Sequence, residues 1–287
     1  MSKSNALSVD LEFWLSRIME TAYFDHENAD NSLVNTVFEE TVIRPTERLM
    51  EIFSKFSIHA TFFTTNSIFA AAPHLVEKIH QRGHEIAFHG FTHNDTASLS
   101  SQIESSHDFI SRFHIKGFRA PEMRFSPENI DVLAQNGFTY DSSQYGGRPY
   151  TLTSENRQNK ITEAPVSCHP ADTIQTSFMS AIKHCRIPFG SGILLGIMPA
   201  YCISGLIRKL NGNSLPAILF VHQWQLVDRC KLMSLFNSIR KSNLSGLDNL
   251  KARDIYSLAC VPGKRLEKLL SHHSFNRMDN LLNEHSE

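Results

Sequence analysis

Residues 84–93 read HEIAFHGFTH, a short apolar run that ends at two histidines, His89 and His93, four positions apart. Two imidazoles at that separation can reach one ion, because four residues span about one helical turn and a tight loop closes over a similar distance. Gly83 precedes the run and Gly90 lies between the histidines, so the backbone is free to turn where the rings must converge. The plain alternative is a buried strand followed by a loop with two solvated histidines. In a chain with 15 histidines, a carboxylate and a proton-transfer group must be found elsewhere before that alternative is displaced.

Outward from this stretch, apolar strands and amphipathic helices alternate. Strands are predicted at residues 6–9, 58–65, 116–119, 138–141 and 217–221, and helices at 45–56, 73–82, 96–113 and 127–136. Pro45 and Pro73 open two of the helices, while Gly83 and Gly137 stop two. This alternation, unbroken in composition from residue 6 to 141, predicts a parallel β/α sheet or barrel. Residues 13–40 are polar and irregular and are expected to loop over the site, and residues 156–166 are expected to be turn-rich and then extended. Further helices are predicted at 199–210 and 231–242. The expected division is a barrel over residues 1–243 and a helical extension over 244–287 that packs on it.

The 287 residues are 41% apolar, enough for a substantial core. A formal net charge of −1 provides no basic field for a phosphate backbone, so nucleic acid is not an expected partner. Five scattered cysteines with no CxxC pair fit reduced thiols. Residues 1–14 lack the order of a secretory signal, and no run is long enough to span a membrane, so a cytoplasmic location is expected. The most apolar run, residues 192–207, is interrupted by glycine and proline and reads as buried core. A second reading rests it against a membrane or a lipid-linked substrate.

Polar residues sit at the ends of several predicted strands. Asp10 and Glu12 follow the first and, with Leu11 between them, point the same way, since side chains alternate along a strand. Arg119, Asp141 and His222 end three others. In a parallel β/α fold these ends share one face, so residues distant in sequence can meet around one pocket. One carboxylate and two histidines form a facial set that leaves room on a metal for water and a substrate oxygen. A second carboxylate would take the water's proton and His222 would protonate the leaving nitrogen, while Arg119 keeps the base ionised. Such an assembly favours metal-assisted hydrolysis of an amide. Each residue also has a structural reading: Arg119 bridging surface acids, Asp141 capping a turn, His222 satisfied in the core.

The segments SVDLE (8–12), HATFF (59–63), GHEIAFHGFTH (83–93), FRAPEMRFSPE (118–128), FTYDSS (138–143), RIPFGSG (186–192) and FVHQW (220–224) resemble, in order, the motifs of the polysaccharide deacetylase family. This is the NodB-homology group of carbohydrate esterases, and the likeness covers about residues 5–226. It is nearest to the branch whose first motif reads Asp-x-acid. The resemblance implies an α/β fold, a distorted (β/α)7-type barrel, and removal of an N-acetyl group from an amino sugar of a polysaccharide, oligosaccharide or sugar precursor. Metal binding would fall on His89 and His93 with Glu12, the base on Asp10, its orienting arginine on Arg119, the general acid on His222, and a part in the charge network on Asp141. Pro121, Tyr140, Trp224 and Leu226 would contact substrate, with Trp224 and Leu226 walling the acyl notch. Zinc is the expected ion, with cobalt, nickel or manganese also compatible with the ligands. Where many members carry two adjacent aspartates, Leu11 takes the second place here, so the roles of Asp10 and Glu12 could be exchanged. Where relatives read HPWE, this chain reads HQWQ at 222–225. A deformylase, or a homologue that binds carbohydrate with impaired turnover, are the alternatives.

Overall fold

The computed structural model describes residues 5–13, 32–93, 95–241, 259–261 and 263–284. Its strands are β1 (Asn5–Leu11), β2 (Thr61–Thr64), β3 (Glu85–Phe88), β4 (Gly117–Phe118), β5 (Tyr140–Asp141), β6 (Tyr145–Gly146), β7 (Tyr150–Thr153), β8 (Lys160–Glu163), β9 (Val166–Ser167), β10 (Ile218–His222) and β11 (Phe275–Asn276). The main sheet runs β10-β1-β2-β3-β4-β5-β8-β7. Neighbours are parallel throughout except β7, which returns antiparallel along β8. The sheet curls into an open barrel with helices outside it, the arrangement expected of a NodB-type fold.

Backbone segments meet closely at Gly190. Its N–H donates to Ser167 O and its carbonyl accepts from Phe220 N, so one glycine ties β9 to β10. A Cβ there would stand 2.4 Å from the Ile218 carbonyl oxygen and 2.8 Å from the Ser167 nitrogen, a distance that no other residue tolerates. Every residue of β1, β2 and β3 is buried, as a parallel sheet covered on both faces requires. Leu11 joins the outer core under the helices, while Ala6, Phe63, Ala87, Tyr140 and Ile218 fill the interior below the site.

Several expectations need correction. Residues 14–31 of the predicted loop lie outside the described residues, but Ser32–Phe38 is an α-helix running through a π-helical turn, Glu39–Ile43, into Arg44–Lys55. The single helix predicted at 96–113 is two, Leu99–Ser105 and His107–Arg112. Residues 150–163 form the β7–β8 hairpin. The C-terminal region contains the expected helices, Gly263–Leu270 and Met278–Glu284, and also contributes a strand, because β11 pairs with the start of β1. The run 192–207 is not uniformly core: Ile197 is 52% and Tyr201 72% exposed.

Candidate metal and proton-transfer site

The site is built at the carboxyl ends of the strands. In register, Asp10 on β1 stands opposite His222 on β10 and Phe63 on β2, and Phe88 stands opposite Phe118. The residues that follow these last two, His89 and Arg119, therefore emerge at one level. Alternation on β1 turns Ser8, Asp10 and Glu12 inward and Leu11 outward.

Glu12 meets both histidines. Its Oε2 lies 3.2 Å from His89 Nε2 and 3.3 Å from His93 Nε2. Among the described residues these three form a group whose ligand atoms fall within 4.8 Å of one another. Gly90, at φ +85°, makes the turn between the histidines; a Cβ there would press on Gln102 Oε1 at 3.0 Å and Pro121 Cγ at 3.3 Å. His89 Nδ1 donates to the Arg119 carbonyl over 2.7 Å, which turns Nε2 and its lone pair toward Glu12. Two acceptors so close repel unless a proton or cation lies between them. The spacings match the edge of about 3.3 Å for a tetrahedron with bonds near 2 Å, so the group fits a divalent ion. Burial works against charge on His89, but the Glu12 and Asp10 carboxylates outweigh it and raise its pKa.

Asp10 is held differently. Arg119, wholly buried, donates from Nη1 to Asp10 Oδ1 at 2.5 Å and to Ser8 Oγ at 2.9 Å, from Nη2 to Ser142 Oγ at 2.8 Å and from Nε to Ser142 O at 2.9 Å. Its plane lies over Phe63, 4.1 Å from the ring centroid. A desolvated guanidinium is tolerable only when its donors are satisfied in this way.

His222 closes the opposite side, its Nε2 3.5 Å from Glu12 Oε1 and its ring stacked on Trp224 with centroids 5.2 Å apart. Burial pushes its pKa down to about 4 against the opposing pull of Asp10 and Gln225. Gln225 is fully buried: Oε1 accepts from His222 N at 2.8 Å and faces His222 Nδ1 at 3.4 Å, and Nε2 donates to the carbonyls of Gly192 and Ala259. Gln223 Nε2 donates to Glu12 O at 2.5 Å and to Thr41 O at 3.2 Å, clamping the backbone of the candidate ligand. Gln225 was marked by the sequence as a departure beside His222, whereas Gln223, Ser8 and Ser142 were given no role.

Asp10, Glu12, His89, His93 and His222 line one cavity of about 210 Å³ together with Met123, Tyr145, Phe178, Ile193, Phe220 and Trp224. Five expected residues are not in its wall: Arg119, which lies behind Asp10, and Asp141, Tyr140, Leu226 and Pro121. Asp141 is buried outside it, its Oδ1 accepting from Ser143 Oγ, which in turn accepts from Ala120 N. Asp141 also pairs with Glu163; burial and the Asp141 charge raise the Glu163 pKa well above the usual range, so the pair retains a proton. Tyr140 belongs to the barrel interior and donates to Glu85 Oε1 at 2.8 Å, at the other end of the strands. Leu226 packs against the outer core, whereas Trp224 lines the cavity. Pro121 lines an adjoining depression that shares His93, Ala120 and Glu122 with the cavity.

Comparison with known proteins agrees with this architecture. A family model described as polysaccharide deacetylase matches residues 26–140. The peptidoglycan deacetylase of Helicobacter pylori is 28% identical over 104 residues, covering 33% of this chain and 36% of that one. The matches span about a third or less of the curated relatives' length. Among solved structures, a Mycobacterium smegmatis protein of polysaccharide deacetylase type superposes with TM-score 0.54 at 19% identity, over 91% of this chain and 94% of that one. The allantoinase Puue superposes with TM-score 0.55 at 14% identity, over 97% and 88%. Those structural likenesses speak for the fold. The matched sequence carries His89, His93 and Arg119, the fold brings Asp10, Glu12 and His222 to meet them, and over residues 26–140 the chain is similar to the polysaccharide deacetylase family.

Proposed function

We propose that the protein is a metal-dependent hydrolase that removes an N-acetyl group from an amino sugar. The observation that carries this reading is the convergence of Glu12, His89 and His93 in one cavity with a separate carboxylate, Asp10, fixed by Arg119 beside them. Glu12, His89 and His93 would hold the ion, zinc fitting two imidazoles and a carboxylate best. When bound, a divalent cation there acidifies water and polarises an acyl carbonyl.

The remaining chemistry belongs to the chain. Asp10 Oδ1 is engaged by Arg119, so the carboxylate keeps a fixed orientation, with its other oxygen to receive a proton from water. His222, with Nδ1 turned to Gln225, presents Nε2, which would relay to the departing nitrogen the proton that Asp10 takes from water. Trp224, Phe220 and Met123 supply an apolar wall for the acyl methyl. Glu12 rather than Asp10 is taken as the ligand because it is the carboxylate that touches both histidines.

The test is release of acetate from acetylated amino-sugar oligomers and from sugar nucleotides by metal-loaded protein. Formate released from an N-formyl substrate in its place would move the specificity, and no release from any of them with metal bound would sink the reading.

A further inference from the structure

The apolar wall of the cavity does not stop at its mouth. Phe178, in the first turn of the helix Phe178–Lys183, lines the cavity, and four residues on, on the same face, Ile182 is 46% exposed. Ile193, in the helix Gly192–Ile197, lines it too, and four residues on Ile197 is 52% exposed, with Tyr201 at 72% in the next helix. Among the described residues, every large hydrophobic side chain that remains exposed lies between positions 174 and 201. Singly such residues need no explanation, but a cluster continuous with a cavity marks a contact surface.

Charge separates the same region from the rest. The chain as a whole carries 28 basic and 29 acidic residues, yet residues 173–227 contain no Asp or Glu and hold Lys183, Arg186, Arg208 and Lys209. Asp172, just outside, pairs with Arg186. Lys183 follows Ile182 directly and is exposed; Arg208, seven residues after Tyr201, returns to nearly the same face of the helix Ala200–Gly212 and is exposed.

We propose that this rim docks the protein on an anionic bilayer surface, with the cavity opening toward the lipid headgroups to receive an acylated amino sugar borne there by a lipid. Aliphatic side chains enter the headgroup boundary while adjacent cations meet lipid phosphates. A second copy of the chain is a poorer occupant, because a twofold interface sets the patch against itself and these cations would face one another with no acid between them. A soluble glycan would leave the isoleucines and Met179 without matching apolar surface. The docking stands on surface composition alone; the lipid-borne substrate rests also on the hydrolase reading above.

The test is flotation of the full chain with phosphatidylcholine vesicles, with and without phosphatidylglycerol. Binding is expected with the anionic lipid, weakened by salt, and Ile197→Asp and the pair Lys183→Glu, Arg208→Glu should each lower partitioning about tenfold or more. None of these positions lines the cavity, so acetate release from a soluble acetylated oligosaccharide should be unchanged in the same variants, which also shows that they fold. Absence of binding to anionic vesicles, binding indifferent to the substitutions, or a solution dimer that Ile197→Asp dissolves would each overturn the proposal. Vesicle binding without any deacetylation would leave the docking intact and remove the hydrolase reading instead.

Discussion

Arg119 reaches Asp10 with Nη1 2.5 Å from Oδ1, and the two side chains are 0% and 5% exposed. An ion pair so deeply removed from water is held by what surrounds it: Ser8 and Ser142 accept three further guanidinium N–H bonds, and Phe63 and Phe220 cover its faces. Breaking such a pair from one side strands a buried charge. Arg119→Met should therefore cost about 3–5 kcal/mol, read from urea unfolding midpoints. A loss under about 1 kcal/mol, the range of exposed ion pairs, would mean the interior is wetter than the packing implies.

Asp10 and Glu12 are two residues apart, yet their neighbours assign them different work. Asp10→Asn keeps Glu12, His89 and His93 intact, so bound zinc should remain near one equivalent while turnover falls by about 10²–10⁴. Glu12→Gln should lose the metal itself. Elemental analysis beside acetate release distinguishes the two; zinc lost from the Asn variant and kept in the Gln variant would exchange the roles.

Gln223 contributes no atom to the cavity wall, but it fastens the Glu12 carbonyl and amide to the Thr41 carbonyl. Removing that clamp in Gln223→Ala frees the backbone from which Glu12 projects. Zinc affinity is expected to fall about 10–100-fold, as when outer partners of metal ligands are removed. Competition with a chromophoric chelator measures it, and an unchanged affinity would show that Glu12 is held by the strand alone.

The metal side of the site was legible because its signals are local. Alternation on β1 placed Asp10 and Glu12 together, and Gly90 announced the turn between the histidines. Arg119 was legible as a strand-end cation. Its cradle was not: Ser8 and Ser142 are unremarkable residues until register sets them around the guanidinium. Tyr140 misled for a related reason. A two-residue strand offers no alternation from which to read its faces, so the sequence could not show that Tyr140 points down the barrel to Glu85 and Asp141 toward Glu163. Strand β11 was missed because its pairing with β1 joins opposite ends of the chain and leaves no local pattern.

Glu85 marks the far end of the barrel, where it accepts from Thr61 Oγ1, Tyr140 Oη and Asp279 N. Burial, with help from the nearby Asp279 charge, raises its pKa to about 7 against an ordinary value of 4.5. The folded state then binds this proton more tightly than the unfolded chain does. The group's contribution is therefore fully present below about pH 4.5 and declines as pH rises toward 7, by an amount of order a few kcal/mol. Glu85→Gln has no proton to lose, and the Tyr140 hydroxyl can rotate to accept from the new amide. The substitution should thus stabilise the protein relative to wild type at pH 8 more than at pH 5, as read from paired urea unfolding curves at the two pH values. An equal difference at both would show that Glu85 titrates alike in the folded and unfolded chains and that its three donors, not burial, set its charge.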